Sequence, residues 1–367
     1  MAFEQVIGQQ RVKDVLSASV EKERIPHAYL FTGPEGAGMD AMALNMARGL
    51  LCSNNRAGGC GACPDCLKFR NLEHPAMKII LPAPSKPKGM KEDKYQDILL
   101  DRRRHWADNP YQKILYTPEL SGMPAVGIDQ IRSLKKEVFL KLTGGSFRVL
   151  LISDADRMTA AASNSLLKLL EEPPEGTVLF LTTSSSGRLL STLVSRCQVI
   201  RFSPLAETQI EEALAGRWSI PPEKARAYSK MAAGSLQRAL DFNEEAFDVH
   251  RNTALDFLEQ ILIPDELIRI HAARAVLGLR DKTVIADVFR LLHSLIRDWM
   301  MIQLDSVERI IHQDQTDRIR NLQAHYPNFK AMEALAAVSH AIDFIEKNVY
   351  LDLVVLNLSK DLQQCMS

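Results

Sequence analysis

Five short runs constrain the fold more than anything else in the chain: AYLFTG at 28–33, KIILPA at 78–83, RVLLISDAD at 148–156, TVLFLTTSS at 177–185 and CQVIRFS at 197–203. Each is apolar at nearly every position and rich in residues that favour extended backbone, so it reads as a strand buried on both faces. Strands of that kind occur where a parallel sheet is wrapped by helices, and helical patterns do separate the runs. The expected fold class is therefore α/β, a doubly wound parallel sheet whose ligand site lies beyond the strand C-termini.

Past Pro204 the texture becomes purely helical. Residues 205–243 predict a small three-helix unit, and 244–367 predict long amphipathic helices such as KTVIADVFRLLHSLIRDWMMIQL. Three domains follow as the expected organisation: an α/β domain over 1–204, a three-helix lid over 205–243 and an all-α domain from 244 onward. Leu291, Leu295, Ile342, Ile345 and Leu353 mark apolar stripes in the last of these, available for internal packing or for a partner subunit. Only 83–97, APSKPKGMKEDKYQD, is polar and proline-rich enough to read as an excursion.

Lysine plus arginine and aspartate plus glutamate are both 45, so no global field selects nucleic acid or an anionic membrane. The start MAFEQVIGQQ lacks the pattern of a secretory leader, and no apolar stretch approaches the ~20 residues of a membrane span. A cytoplasmic protein with reduced thiols is the expectation.

The first strand runs into GPEGAGMD, residues 33–40. A phosphate-binding loop has the form G-x-x-x-x-G-K-[ST], and Gly33 and Gly38, with Gly36 between them, have its spacing. Met39 stands where the lysine belongs and Asp40 where the hydroxyl belongs. Losing the cation forfeits about 4 kcal/mol per close charge pair at an effective dielectric near 20. Asp40 suits the positive end of a helix but opposes a phosphate placed there. The loop is either a turn that closes a strand onto a helix or a weakened cradle, and ATP binding is doubtful. A second lesion lies at the end of the third strand, where a nucleotide site needs adjacent acids for magnesium and water. VLLISDADRMT offers Ser153 and Asp154 in those places, with Asp156 expected on the same side as Asp154.

CSNNRAGGCGACPDC comes directly after the helix that the glycine loop opens, with Cys52, Cys60, Cys63 and Cys66 separated by seven, two and two residues. Glycines and a proline at the turns complete a tetrahedral zinc pattern. Four thiolates leave no open position, so the Zn2+ would be structural, fastening an insert at about 52–66 that is too small for a core of its own. Cys197 and Cys365 read as packing residues. DRRRHW, with Arg102, Arg103 and Arg104 beside Trp106, is the densest basic run and reads as a solvated helix face or a grip on single strands.

IGQQRVKDVL, RIPHAYLFTGPEG, the cysteines, His74-Pro75, IDQIRSLKKEV, NSLLKLLEEPPEGTVLFLTT and LVSRCQVIRF stand in the order of one family. The chain resembles bacterial replicative clamp loaders of the AAA+ class over about residues 3–243. The resemblance implies an AAA+ P-loop-type sheet, a lid and a helical collar that joins subunits. In the motor subunits of that family, gamma and tau, the loop keeps Lys-Thr and the strand end Asp-Glu. A chain that lacks both but retains Ser195, Arg196 and Cys197 is similar to the family's non-hydrolysing stator. That role implies Arg196, in trans, as a finger on a neighbour's ATP; the competing reading of Arg196 is a surface arginine paired with a nearby acid. The stator role also implies gamma/tau and delta partners in a hetero-pentamer, a sliding clamp loaded on primed DNA and no membrane. Gln237 occupies the position of a nucleotide-sensing arginine, with Arg238 one place along. The competing readings are an active clamp-loader ATPase of gamma/tau type and a zinc-dependent adaptor on a P-loop-like fold.

Overall fold

The computed structural model describes residues 3, 5–54, 58–112, 120, 123–138, 147–242, 244–347 and 349–366. The chain divides into two compact units, Met1–Ser219 with Ala232–Asp241, and Ile220–Met231 with Phe242–Ser367.

The first unit is built on the five expected strands: β1 (Ala28–Thr32), β2 (Met77–Ile80), β3 (Arg148–Ile152), β4 (Thr177–Thr183) and β5 (Gln198–Arg201). They form one parallel sheet in the order β2-β3-β4-β1-β5. Every residue of β3 and β4 is buried, as two-face coverage requires, whereas β2 and β5 are only partly buried because they are the edges. The helices of this unit are α1 (Gln10–Glu21), α2 (Met39–Leu51), α3 (Pro64–Arg70), α4 (Glu92–Asp108), α5 (Ile128–Val138), α6 (Ala160–Glu171) and α7 (Ser191–Val194). Of α2 only Arg48 escapes burial, a consequence of its run of Ala, Met and Leu. Thr159 caps α6 by accepting from Ala162 N–H, which fixes where that helix starts after β3. Leu30, Leu150, Ile152, Leu166, Leu181 and Leu193 lie in one core on the α5/α6 side of the sheet. Tyr29, Phe31, Phe180 and Phe202 make an aromatic row, with centroids 5.3–5.9 Å apart.

The helical stretch after Pro204 is divided between the units: α8 (Glu207–Arg217) and α10 (Leu236–Asp241) belong to the first, α9 (Pro222–Met231) to the second. The second unit continues with α11 (Glu244–Ile261), α12 (Glu266–Leu277), α13 (Lys282–Gln303), α14 (Thr316–His325), α15 (Ala331–Glu346) and α16 (Leu351–Gln364). α13 packs against α11 and α15, and α16 against α12 and α15. Leu291, Leu295 and Ile345 of the expected stripes are buried in this bundle, whereas Leu353 is exposed near Phe344, Val349 and Tyr350. Among the described residues no helix is long and apolar enough to cross a membrane.

Candidate functional site

The phosphate-type loop joins β1, second from one edge of the sheet, to α2. Gly36 and Gly38 carry φ of 75° and 96°, the left-handed region in which glycine is unstrained. An added Cβ at Gly36 would stand 2.3 Å from Ser235 Oγ, and Leu236 N–H donates to Gly36 C=O at 3.2 Å. The start of α10 therefore packs directly on the loop, with Gln237 buried beside it. Met39 is buried as well.

Asp40 is 3% exposed, and its carboxylate is held inside the unit. Its Oδ1 accepts the Thr182 hydroxyl at 2.6 Å; its Oδ2 accepts the Ser153 hydroxyl at 2.8 Å and the Trp106 indole N–H at 3.3 Å. Ser153 follows β3 and Thr182 lies in β4, two strands that are neighbours in the sheet. The two lesions read from the sequence thus touch. The carboxylate has moved to the loop and the hydroxyl to the strand end, so one hydroxyl–carboxylate pair survives with its partners exchanged. Such charge-assisted O–H···O bonds are short and strong when water is excluded.

Asp154 does not continue the strand. It takes φ 48°, after which 155–157 form a short 3₁₀ turn, so the alternation expected to put Asp156 beside it ends at Ile152. Asp156 instead accepts the Thr183 hydroxyl at 2.6 Å. The basic run also departs from expectation. Arg102 and Trp106 are buried, Arg102 donating to Pro82 C=O at 3.3 Å, so this face of α4 is neither solvated nor free for a nucleic acid strand. Arg104 alone of the three arginines is exposed.

The four cysteines converge. Cys52 ends α2, Cys63 caps α3 with Pro64 in its first turn, and the four sulfurs all lie within 4.8 Å of one another. Cys52 Sγ and Cys63 Sγ are 3.8 Å apart. A tetrahedron of sulfurs about 2.3 Å from a central zinc has an edge near 3.8 Å, so the separation suits such an ion. N–H groups of Asn54 and Cys60 point at Cys52 Sγ, that of Cys63 at Cys60 Sγ and that of Cys66 at Cys63 Sγ, at 3.3–3.4 Å. The Cys66 N–H holds the Cys63 thiol down to about 6, whereas burial pushes Cys66 up to about 12. A cation among them would deprotonate the set. The cluster can hold a metal ion.

Arg196 lies in the turn between α7 and the edge strand β5. Its Nη1 donates to Thr192 C=O at 2.8 Å, and its Nη2 pairs with Glu171 Oε1 of α6, also at 2.8 Å. Its side chain remains 35% exposed. Ser195 is exposed, and Cys197 is half-buried with its thiol pushed up to about 12 by burial. The loop, the cysteines and Arg196 are three separate features, and no contact joins Arg196 to the chain's own loop among the described residues. Thr182, Trp106, Tyr111 and Glu171 join the site without a local signal in the sequence, since each acts through a partner at least 25 residues away.

A family model described as DNA polymerase III, delta subunit, matches residues 8–206, more than half of the chain. DNA polymerase III subunit delta' of Bacillus subtilis is 27% identical over 97% of this chain and 96% of its own length. The tau/gamma subunit of Haemophilus influenzae is 26% identical over 79% of this chain but over only 35% of its own, longer sequence. A DNA polymerase III gamma subunit-related protein of Thermotoga maritima superposes with a TM-score of 0.39 at 16% identity, covering 97% of this chain and 99% of that one. The match to the family model extends from just before α1 to just past β5, a span that takes in the loop, the cysteines and the Ser-Arg-Cys turn, so the chain belongs to the DNA polymerase III, delta subunit family.

Proposed function

We propose that this chain is a non-hydrolysing subunit of the bacterial DNA polymerase III clamp loader, of the delta' kind, which lends Arg196 to the ATP site of a neighbouring subunit. The exchanged pair Asp40–Ser153 carries the reading. A working loop needs a cation for the β and γ phosphates and a hydroxyl for magnesium. Here the loop presents a buried methionine and a carboxylate already committed to three donors. Full-length similarity to a delta' subunit supports the same role.

Arg196 fits donation in trans. Its planar, permanently charged fork can grip a γ-phosphate bidentately, and it sits at a sheet edge away from its own loop. Glu171 holds it meanwhile by an exposed ion pair, an interaction worth about 0.2–1 kcal/mol and readily exchanged for a phosphate. The partners under this reading are gamma/tau and delta subunits in a hetero-pentamer, a sliding clamp and primed DNA. The cysteine cluster would hold one structural zinc, residues 205–243 would act as the lid and 244–367 as the collar. Exposed Phe344, Tyr350 and Leu353 are apolar surface that such a collar would cover.

The alternative, an active ATPase of gamma/tau type, needs turnover by the purified chain. Isolated protein mixed with magnesium and ATP should show none, and it should copurify with a Lys-Thr-loop homologue. Steady hydrolysis that disappears in Gly38→Val would establish the alternative.

A further inference from the structure

The segment between β2 and α5 is longer than a sheet crossover needs, and its described part is attached to the loop at several points. α4 is mostly polar, yet it turns Arg102 and Trp106 inward, and Tyr95 Oη donates to Pro84 C=O at 2.9 Å. Trp106 reaches Asp40 at the start of α2. Three residues beyond α4, Tyr111 is 1% exposed, and its Oη accepts Ile7 N–H at 2.7 Å. Its ring is 3.0 Å from where a Cβ on Gly38 would stand. Two buried aromatic residues therefore lie against the two loop positions, Gly38 and Asp40, that flank the missing lysine.

We propose that residues 92–111 are a built-in plug of the nucleotide loop, latched by Asp40: Trp106 on its carboxylate and Tyr111 on Gly38 keep nucleotide out even where the loop's charge is restored. The carboxylate is a latch because Ser153 and Thr182 fix both of its oxygens from neighbouring strands, leaving Oδ2 aimed at the indole. Burying two large aromatic rings holds the segment down beyond what one hydrogen bond of 3.3 Å would. The plug deepens the non-hydrolysing reading and rests on it: the loss of the lysine explains weak binding, whereas the plug explains why the loop keeps its shape with nothing bound.

The affinity of a site that is open only part of the time falls by its open fraction, so a plug seated 90–99% of the time costs about 10- to 100-fold. Titrating the full chain with a fluorescent ADP and magnesium tests this in three forms: native, Met39→Lys, and Met39→Lys combined with Trp106→Ala and Tyr111→Ala. Whatever Met39→Lys alone gains from its charge, the combined variant should bind at least about tenfold more tightly than Met39→Lys. Equal affinity in Met39→Lys and in the combined variant overturns the plug. Should the combined variant misfold, amide hydrogen exchange of the native chain decides: 92–111 should exchange as slowly as α2 and faster in Asp40→Ser. Free exchange of 92–111 in native protein would refute the latch. ATP turnover by the native chain would instead sink the functional reading, so the two failures are distinguishable.

Discussion

Exchanging residues 40 and 153 back again is the sharpest perturbation of the site. Asp40→Ser alone removes the acceptor of three donors on Ser153, Thr182 and Trp106, of which the two hydroxyl residues are 1% and 0% exposed. A hydrogen bond to a charged group contributes about 1.5–3 kcal/mol, and a buried donor left unmatched costs about 1–3 kcal/mol. Against this, removing a buried carboxylate recovers several kcal/mol of desolvation. The balance is a loss of about 2–4 kcal/mol. Ser153→Asp alone sets two carboxyl groups at the distance of the present 2.8 Å contact, where they must share a proton or separate, and should cost a similar amount. The double exchange restores one hydroxyl facing one carboxylate and should recover at least half of the summed loss, a coupling of about 2 kcal/mol. Because the chain has two units, whole-molecule melting would mix their transitions; amide exchange of peptides in β3 and β4 reports the sheet directly. Additive losses within about 0.5 kcal/mol would show that the two residues do not compensate each other.

Native protein should contain one zinc per chain by elemental analysis; four freely titrating thiols and no metal would rule the site out. Cys60→Ser, altering the one exposed ligand, should release the metal and raise exchange in α3 while leaving β3 and β4 protected. Acid should weaken the helical unit through His312, which is 1% exposed and pushed down to about 3, first by burial and then by Arg251, from an ordinary 6.5. Its folded pKa lies below the unfolded one, so its stability contribution is full above about 6.5 and falls as pH drops toward about 3. The slope is at most about 1.4 kcal/mol per pH unit. Urea titrations of native and His312→Gln proteins followed by exchange in α13 should therefore converge as pH falls from 7 toward 4; parallel curves would show that His312 is not held neutral.

The sheet was legible because each strand announces itself locally, by apolar runs such as VLLI in β3, and the cysteine cluster because three of its ligands lie within seven residues. The edge positions of β2 and β5 were not, since strand order is a property of pairing across the whole domain. Asp40 and Ser153 were each visible as a defect, but 113 positions separate them, and no periodicity tells which side chains two neighbouring elements bring together. Trp106 shows the same limit from the other side. Its polar surroundings in DRRRHW suggest a wet helix face, and only the packing of α4 on α2's first turn reverses that reading. Asp156 failed through local geometry instead: the left-handed turn at Asp154 breaks the strand period one residue after Ser153.

Arg196 offers the most direct test of the functional account. Arginine fingers supplied in trans raise phosphoryl-transfer rates about 10³- to 10⁵-fold at a single site, diluted where several sites fire in one assembly. Clamp- and DNA-stimulated ATP hydrolysis should be measured in the reconstituted pentamer carrying either native chain or Arg196→Ala, with zinc content and assembly checked in both. Intact pentamers with sharply lower stimulated hydrolysis and clamp loading are expected in the variant, and a Glu171→Gln control, which loses only the ion pair that holds the arginine, should stay close to native. Unchanged hydrolysis and loading by the Arg196→Ala assembly would contradict the trans role of Arg196.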